Sequence, residues 1–212
     1  LTNVAYDYLF AKICSGELPP NDPIVEQEIS SALSISRTPV REALQALESD
    51  GLVSHIRFRG TFVRELSLQD INEIYELRRI FEMSSLKSAM ANITDDEISR
   101  LYDNLCANNE DSPLEDFYAT DRELHEIILR YSYNSRMVQF YNQISAQVEH
   151  IRRLSSSAPK RMMKSRSEHM RIIEAIKSGD EQWAEQCLGM HLDNVHKSAI
   201  DVILQMRTGI RA

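Results

Sequence analysis

Cysteine is scarce in this chain, and long apolar runs are absent from it. Its 212 residues include three cysteines, Cys14, Cys106 and Cys187, which are far apart and form no CxxC pair. This usage fits a reducing compartment rather than a disulfide framework. No stretch approaches the ~18 consecutive apolar residues of a membrane span, and the first residues show no signal-peptide pattern. We therefore expect a cytoplasmic protein with no membrane partner.

Motifs that mark common catalytic sites are also missing. The sequence contains no HExxH, no phosphate-binding glycine loop and no Gly-x-Ser-x-Gly elbow, so metallopeptidase, nucleotide-hydrolase and serine-hydrolase chemistry have no support. It contains no Glu-x-x-His pair, which argues against a ferritin-type di-iron centre. Nothing in these patterns predicts an enzyme.

Positive charge is in deficit overall but concentrated in one segment. Lysine and arginine total 24 against 32 aspartates and glutamates, for a net charge of −8. Five arginines nevertheless fall within a short stretch: Arg37, Arg41, Arg57, Arg59 and Arg64. A local positive field matters more than total charge for docking on phosphates.

The stretch SRTPVREALQALESDG predicts a short helix with two chemically different faces. Ser36 is suited to the N-cap, where its hydroxyl would accept a backbone hydrogen bond, and Pro39 to the first turn. Asp50-Gly51 ends the helix. The apolar face consists of Val40, Ala43, Leu44 and Leu47. Arg37 and Arg41 lie on the opposite face near the N-terminus, the end that a recognition helix presents to the major groove.

The flanking segments complete a winged helix-turn-helix pattern. Residues 25–33 form a second short amphipathic stretch, and residues 52–57 and 61–64 read as two strands. Arg57 and Arg59 lie at the tip between these strands, where arginines contact phosphates or a minor groove. A helix with an ordinary solvated charged face is the alternative for Arg37 and Arg41 alone. The cap, the proline and the basic hairpin together favour DNA binding.

The rest of the chain reads as helical. We predict a mainly α protein with a winged helix-turn-helix domain at 1–66 and an all-α antiparallel bundle of about six helices at 67–212. The expected helices cover 67–92, 94–109, 113–131, 135–157, 160–178 and 180–207. Thr94 and Asp180 are placed as N-caps of two of them.

Three histidines and one aspartate of the bundle share inward-facing positions. Asp121 and His125 are four residues apart on one helix, while His169 and His191 lie among apolar residues of two others. Such a set could bind one divalent cation, and affinity order favours Zn²⁺ or Ni²⁺. The alternative is that each is an ordinary hydrogen-bonded core residue. For the remaining histidines, His55, His150 and His196, we expect surface positions or ordinary polar contacts.

Several motifs resemble those of a known family. The segment SRTPVREALQALESDGLV followed by RGTFV resembles the winged-helix domain of GntR-family bacterial transcription regulators. YELRRIFE, DRELHEIIL, SEHMRIIEAIKSGD and MHLDNV resemble the FCD ligand-binding domain of the FadR-like branch. The resemblance implies a homodimeric regulator, often a repressor, that binds palindromic double-stranded operator DNA and responds to a small carboxylate metabolite.

The resemblance also implies roles for particular residues. DNA contacts fall on Arg37, Thr38, Arg41, Arg59 and Gly60. The metal motif falls on Asp121, His125, His169 and His191, and Arg78 would face the pocket and pair with an effector carboxylate; the alternative for Arg78 is an exposed helical arginine. Ser34 stands where the family usually has glycine; serine enters the left-handed region only at some cost, so we expect the turn between the two motif helices to differ slightly.

Two other functions remain open at this point. One is a metal-dependent hydrolase that carries a DNA-binding head, although helix geometry should turn Glu126 and Glu168 away from the adjacent metal ligands. The other is a DNA-binding protein that needs no effector.

Overall fold

The computed structural model describes residues 1–155 and 159–208, and its described part is mainly helical with one small antiparallel sheet. This confirms the predicted fold class. Contacts divide the chain into two compact units, Leu1–Ser67 and Leu68–Ala212. No helix within the described ranges is long and apolar enough to cross a membrane.

The first unit contains three helices and three short strands. They are α1 (Thr2–Ser15), β1 (Pro23–Ile24), α2 (Glu26–Leu33), α3 (Arg37–Ser49), β2 (Val53–Ile56) and β3 (Gly60–Val63). The strands form an antiparallel sheet of order β1-β3-β2, in which Val53 pairs with Val63 and Ile56 with Gly60. The β2–β3 hairpin is the expected wing. Strand β1 was not expected, because two residues are too few to show alternation.

Helix α3 buries its apolar face as the spacing predicts. Val40, Ala43 and Leu47 are fully buried, and α3 packs mainly against α1. Ser36 is the N-cap with extended backbone, but its side chain makes no capping hydrogen bond, so that part of the prediction is wrong. Burial of the apolar face, rather than the cap, therefore holds α3 in place.

The turn between α2 and α3 is strained at Ser34. This residue takes the left-handed conformation, with φ 54° and ψ 40°, which is costly for a residue with a Cβ. The conformation is stabilised locally, since the Ile35 amide donates to the Ser30 carbonyl and the Ser30 hydroxyl donates to the Ile35 carbonyl at 2.6 Å. The turn thus keeps its left-handed geometry with serine at this position.

The second unit is built from helices in the described residues. They are α4 (Leu68–Met90), α5 (Asp95–Ala107), α6 (Leu114–Arg130), α7 (Ser135–Asn142), α8 (Ser145–Ser155), α9 (Pro159–Ser178) and α10 (Glu181–Thr208). Its core joins α4, α5, α6, α9 and α10 through buried aliphatic side chains such as Leu86, Leu101, Ile128, Ile172 and Leu188. Thr94 and Asp180 accept backbone hydrogen bonds from Glu97 and Trp183 as N-caps.

One predicted helix is in fact two. The expected helix 135–157 is interrupted between α7 and α8, and its residues 156–157 lie outside the described part. At the break, the amides of Gln143 and Ile144 bond to the carbonyls of Phe140 and Tyr141, three residues back. Such tight bonds end the α-helical ladder without proline or glycine, so the sequence offered no break signal. The described bundle has seven helices rather than six.

Candidate metal centre and nucleic-acid interface

Four side chains from three helices meet inside the second unit. They are Asp121 and His125 of α6, His169 of α9 and His191 of α10, and one ligand atom of each lies within 4.8 Å of the others. We call these four the Asp/His cluster. Its three histidines are buried, so the residues that the spacing placed on inward faces are brought together.

The cluster has apolar surroundings because each histidine lies on the same helix face as buried aliphatic residues. His125 lies beside buried Leu124 and Ile128, and His191 lies beside buried Leu188 and Leu192. Burial lowers the pKa of His169 to about 3 and the pKa of His191 well below its usual value. Both imidazoles are therefore neutral near pH 7, which is the form that binds metal.

Two carboxylates outside the cluster orient its histidines. His125 Nδ1 lies 2.6 Å from Glu82 Oε2, and His191 Nδ1 lies 2.8 Å from Glu168 Oε2. A carboxylate at Nδ1 selects the tautomer whose Nε2 carries a lone pair. The Nε2 atom of His125 is buried and has no hydrogen-bond partner among the described residues. These contacts aim ligand lone pairs at a common centre.

The spacing inside the cluster suits a first-row metal ion. His169 Nε2 and His191 Nε2 are 3.1 Å apart, and two ligands at ~2.1 Å from one ion at tetrahedral or octahedral angles are separated by roughly 3.0–3.4 Å. His169 Nε2 lies 3.4 Å from Asp121 Oδ1. Burial alone would raise the pKa of Asp121, but Arg152 and His169 outweigh burial and lower it. Three histidine nitrogens and one carboxylate therefore fit a divalent ion.

Arg78 is buried rather than exposed. Only 1% of its surface is accessible, so the alternative of an exposed helical arginine is wrong. Its Nε donates to Glu82 Oε1 at 2.6 Å, while its Nη2 has no hydrogen-bond partner among the described residues. Arg78 thus reaches the Asp/His cluster through Glu82 and retains an unused buried donor.

A second buried arginine touches the cluster directly. Arg152 of α8 is 5% exposed and forms a close ion pair with Asp121 through its Nε. Beside this pair lies a cavity of about 20 Å³ bounded by Asp121, His169, Arg152, Phe117 and Tyr118. That volume holds about one water, so a larger ligand requires side chains to move.

The first unit presents its arginines to solvent. Arg37, Thr38 and Arg41 are exposed at the N-terminal end of α3. Arg37 donates to Gln27 Oε1, and Arg41 Nε donates to Glu26 Oε2 at 2.8 Å. Both acceptors belong to α2, so α2 holds the two arginines of α3 in position.

The wing has a basic and aromatic tip. Arg57 and Arg59 are exposed, and Gly60 has φ +102° with no atom within 4 Å of the Cβ position. Phe58 between the arginines is 92% exposed with φ 66°, and the Arg57 guanidinium lies 4.8 Å from its ring centre. The sequence pattern placed Phe58 at the hairpin tip but assigned it no role.

Comparison with protein families settles the class of protein. A model of the FCD domain matches residues 73–194, more than half of the chain, and a model of bacterial regulatory proteins of the gntR family matches residues 1–63. The chain belongs to the GntR family. Its second unit contains an FCD domain, and the resemblance found in the sequence motifs is confirmed.

Individual GntR relatives match along most of their length. The Nta operon transcriptional regulator of Aminobacter aminovorans is 28% identical, with 90% of this chain and 88% of that protein covered. The transcriptional repressor RspR of Escherichia coli K12 is 25% identical, with 85% and 81% covered. This GntR chain is therefore a transcriptional regulator, and the alternative of a metal-dependent hydrolase is set aside.

Solved structures show the same architecture. A GntR regulator from Rhodococcus sp. RHA1 has a TM-score of 0.77 at 24% identity, with 94% of this chain and 97% of that chain covered. The Zn²⁺-bound FCD domain of the transcriptional regulator TM0439 has a TM-score of 0.59 at 26% identity, with 68% of this chain and 99% of that domain covered. FCD domains thus include a zinc-bound example.

Three residues at the FCD site were missed or misjudged from the sequence. Glu168 was expected to turn away from its neighbour His169, and it does, but it contacts His191 on the facing helix. Glu82 and Arg152 gave no signal of their own beyond lying on amphipathic helices. Contacts between helices, which spacing on one helix cannot reveal, bring all three to the cluster.

The other three histidines lie away from the cluster, and one of them, His150, is buried. His55 is exposed beside Thr61, and His196 lies 2.8 Å from Asn72 Oδ1. His150 is 5% exposed, and burial lowers its pKa to about 4. His150 is therefore not at the surface, which was one of the two positions expected for it.

Proposed function

We propose that this GntR protein is a homodimeric regulator whose affinity for a palindromic operator is set by a small carboxylate bound next to a divalent metal in the second unit. The Asp/His cluster carries the proposal, because its three histidines are buried, two of them are oriented by carboxylates, and the four ligand atoms surround one centre. A set of unrelated core histidines has no reason to share these properties.

Asp121, His125, His169 and His191 would hold the ion, with Zn²⁺ or Ni²⁺ favoured by affinity order. The zinc-bound FCD domain of TM0439 supports this choice. A bound ion would supply positive charge and an open coordination position for an anionic oxygen. Glu82 and Glu168 would keep the imidazoles oriented, and loss of such partners typically weakens metal binding by about 10–100-fold.

Charge balance favours an anionic effector. Asp121 already has Arg152 as its counterion, so a divalent ion would leave surplus positive charge in a largely buried site. Uncompensated buried charge is costly, and a carboxylate would offset it. The partnerless Nη2 of Arg78 provides a second donor for the same group.

Metal and effector would compete with an existing contact. The ion would draw the Asp121 carboxylate away from Arg152, which would leave Glu149 as the counterion of that guanidinium and would widen the small cavity beside it. Arg152 belongs to α8, so a shift of its side chain would be felt by a helix that holds no metal ligand. This gives the site two arrangements that a ligand can bias.

The DNA contacts would come from the winged helix-turn-helix domain, residues 1–66. Arg37, Thr38 and Arg41 would enter the major groove, while Arg57, Arg59 and Gly60 of the wing would approach phosphates or the minor groove. One helix reads only a few base pairs, so specificity requires two copies on a two-fold symmetric site. Residues 67–212 would supply the dimer contacts and the effector site.

The connection between β3 and α4 is short enough to transmit movement. Only residues 64–67 separate the two elements, so a shift of α4 on effector binding would be passed along the chain. The coupling cannot exceed the effector's difference in affinity for the two states, typically ~1–3 kcal/mol.

Reciprocity provides the test. Organic acids are screened by thermal shift against metal-loaded protein, and each hit is titrated with and without an operator selected from random duplexes. We expect operator DNA to change effector affinity by the same factor by which effector changes operator affinity. Hits that bind equally well in both conditions would contradict the regulatory role and favour an effector-independent regulator.

The DNA contacts have their own test. An Arg37→Ala/Arg41→Ala variant should lose specific operator binding while its helical content and melting temperature stay unchanged. Arg136→Ala/Arg171→Ala removes the same charge from exposed positions of the second unit and serves as the control. Equal operator affinity of the parent and the Arg37/Arg41 variant would exclude this interface.

A further inference from the structure

The two arginines of the recognition helix are held in different ways by consecutive residues of α2. Arg41 Nε donates to Glu26 Oε2 at 2.8 Å, and no other polar contact of Arg41 occurs among the described residues. Arg37 donates both Nε and Nη2 to Gln27 Oε1. The nitrogens that remain available therefore differ between the two side chains.

The free terminal nitrogens decide what each arginine can read. A guanidinium reads guanine through two nitrogens that donate to O6 and N7. Arg41 keeps both terminal nitrogens, Nη1 and Nη2, for such a pair. Gln27 occupies the Nε N–H and one N–H of Nη2 on Arg37, so Arg37 also keeps an N–H of Nη2 beside Nη1, but it is held by a neutral amide rather than by a carboxylate.

We propose that Glu26 is a positioning residue for base recognition, whose carboxylate holds Arg41 so that its two terminal nitrogens read one guanine. The inference rests on the proposed contacts between α3 and operator DNA, and it adds which residue sets the geometry of Arg41.

Glu26 places a negative charge beside the proposed DNA-binding surface. An acidic side chain next to a DNA-binding surface repels phosphates and lowers affinity for every sequence. Exposed ion pairs add little to stability, and the side chains of Arg41 and Glu26 are 60% and 33% exposed. A gain in specificity offsets this repulsion, because an arginine fixed before binding loses less conformational freedom on meeting its base.

Glu28 provides a matched control on the same helix. Both acids lie in the first turn of α2, where a carboxylate interacts favourably with the helix dipole. Glu28 is exposed, and its side chain makes no polar contact with either recognition arginine. Glu28→Gln therefore removes the same charge from the same turn without releasing Arg41.

The experiment compares Glu26→Gln, Glu26→Ala, Glu28→Gln and Arg41→Ala by fluorescence anisotropy. Each variant is titrated with an operator selected by the parent protein, with every single-base-pair change in one half-site, and with an unrelated duplex. Arg41→Ala should relax discrimination at one G·C pair. Glu26→Ala should lower discrimination at that same pair by roughly 10-fold while raising affinity for the unrelated duplex.

The ranking of the variants by base-pair discrimination distinguishes a positioning role of Glu26 from an effect of its charge. Glu26→Gln retains an amide oxygen that can accept from Arg41 Nε, so it should fall between the parent and Glu26→Ala. Glu28→Gln should raise affinity for all duplexes equally. If Arg41→Ala leaves discrimination intact, the proposed DNA contact itself is wrong. If Arg41→Ala relaxes it but Glu26→Ala behaves like Glu28→Gln, the positioning role alone is overturned.

Discussion

A Glu82→Gln substitution would leave the guanidinium of Arg78 buried without its counterion. The two side chains are 0% and 2% exposed, and Arg78 Nε lies 2.6 Å from Glu82 Oε1. Glu82 also accepts from His125 at 2.6 Å. Glutamine keeps one acceptor oxygen but no charge, so it tests the ion pair with little change in side-chain volume.

The expected cost follows from two independent considerations. Burial would raise the pKa of Glu82, but Arg78 and then His125 outweigh burial and lower it from 4.5 to about 2, which corresponds to ~3 kcal/mol of stability. Breaking a buried ion pair by removing one partner typically costs ~3–5 kcal/mol. Because the folded-state pKa is depressed, this stability is present above pH 4.5 and is lost as the pH falls toward 2.

The assay uses the one tryptophan of the chain, Trp183, which lies in α10 and reports on the helical unit. Urea unfolding of metal-stripped parent, Glu82→Gln, Arg78→Met and the double variant gives a double-mutant cycle. The double variant should be less destabilised than the sum of the singles by at least ~1 kcal/mol. A Glu82→Gln cost below ~1 kcal/mol with no coupling would refute the ion pair.

Two further outcomes are expected from residues outside the metal centre. Ser34→Gly should stabilise the winged unit by up to ~1 kcal/mol because it relieves the left-handed strain. Thermal unfolding of the full chain, followed by CD, checks this prediction. An unchanged or lower stability would contradict the strain. His150→Gln should reduce the acid sensitivity of the helical unit: the pKa of His150 is about 4 in the fold against 6.5 normally, so up to ~3 kcal/mol is lost as the pH falls from 6.5 to 4. Identical pH dependence of Trp183-monitored unfolding in parent and variant would show that His150 is not buried as a neutral base.

The fold was largely predictable because its strongest signals are local. Apolar residues at helical spacing, as in Val40 to Leu47, and caps such as Thr94 depend only on neighbouring residues. The break between α7 and α8 was missed because it contains neither proline nor glycine. Strand β1 was missed because its two residues are defined by pairing with β3, a contact between segments distant in sequence.

Of the candidate site, only the four residues of the Asp/His cluster were predicted from the sequence. Asp121, His125, His169 and His191 stand out because a polar residue on an apolar helix face needs a reason. Their partners do not stand out in this way, since Glu82 and Arg152 resemble any charged residue of an amphipathic helix. Which charges are buried follows from how α4, α6 and α8 pack together, and sequence spacing on a single helix carries no information about that packing.

The central claim is that the Asp/His cluster binds one divalent ion. Calorimetric titration of Zn²⁺ into untagged, chelator-stripped protein tests it most directly, with His169→Ala as the variant and His55→Ala as the control. We expect one high-affinity ion per chain in the parent and in the control, with loss of that binding in His169→Ala. Saturation at 100 times the dissociation constant should add ~2.7 kcal/mol, or a rise in melting temperature of roughly 5–10 °C. No stoichiometric binding in the parent, or equal binding in His169→Ala, would contradict the account.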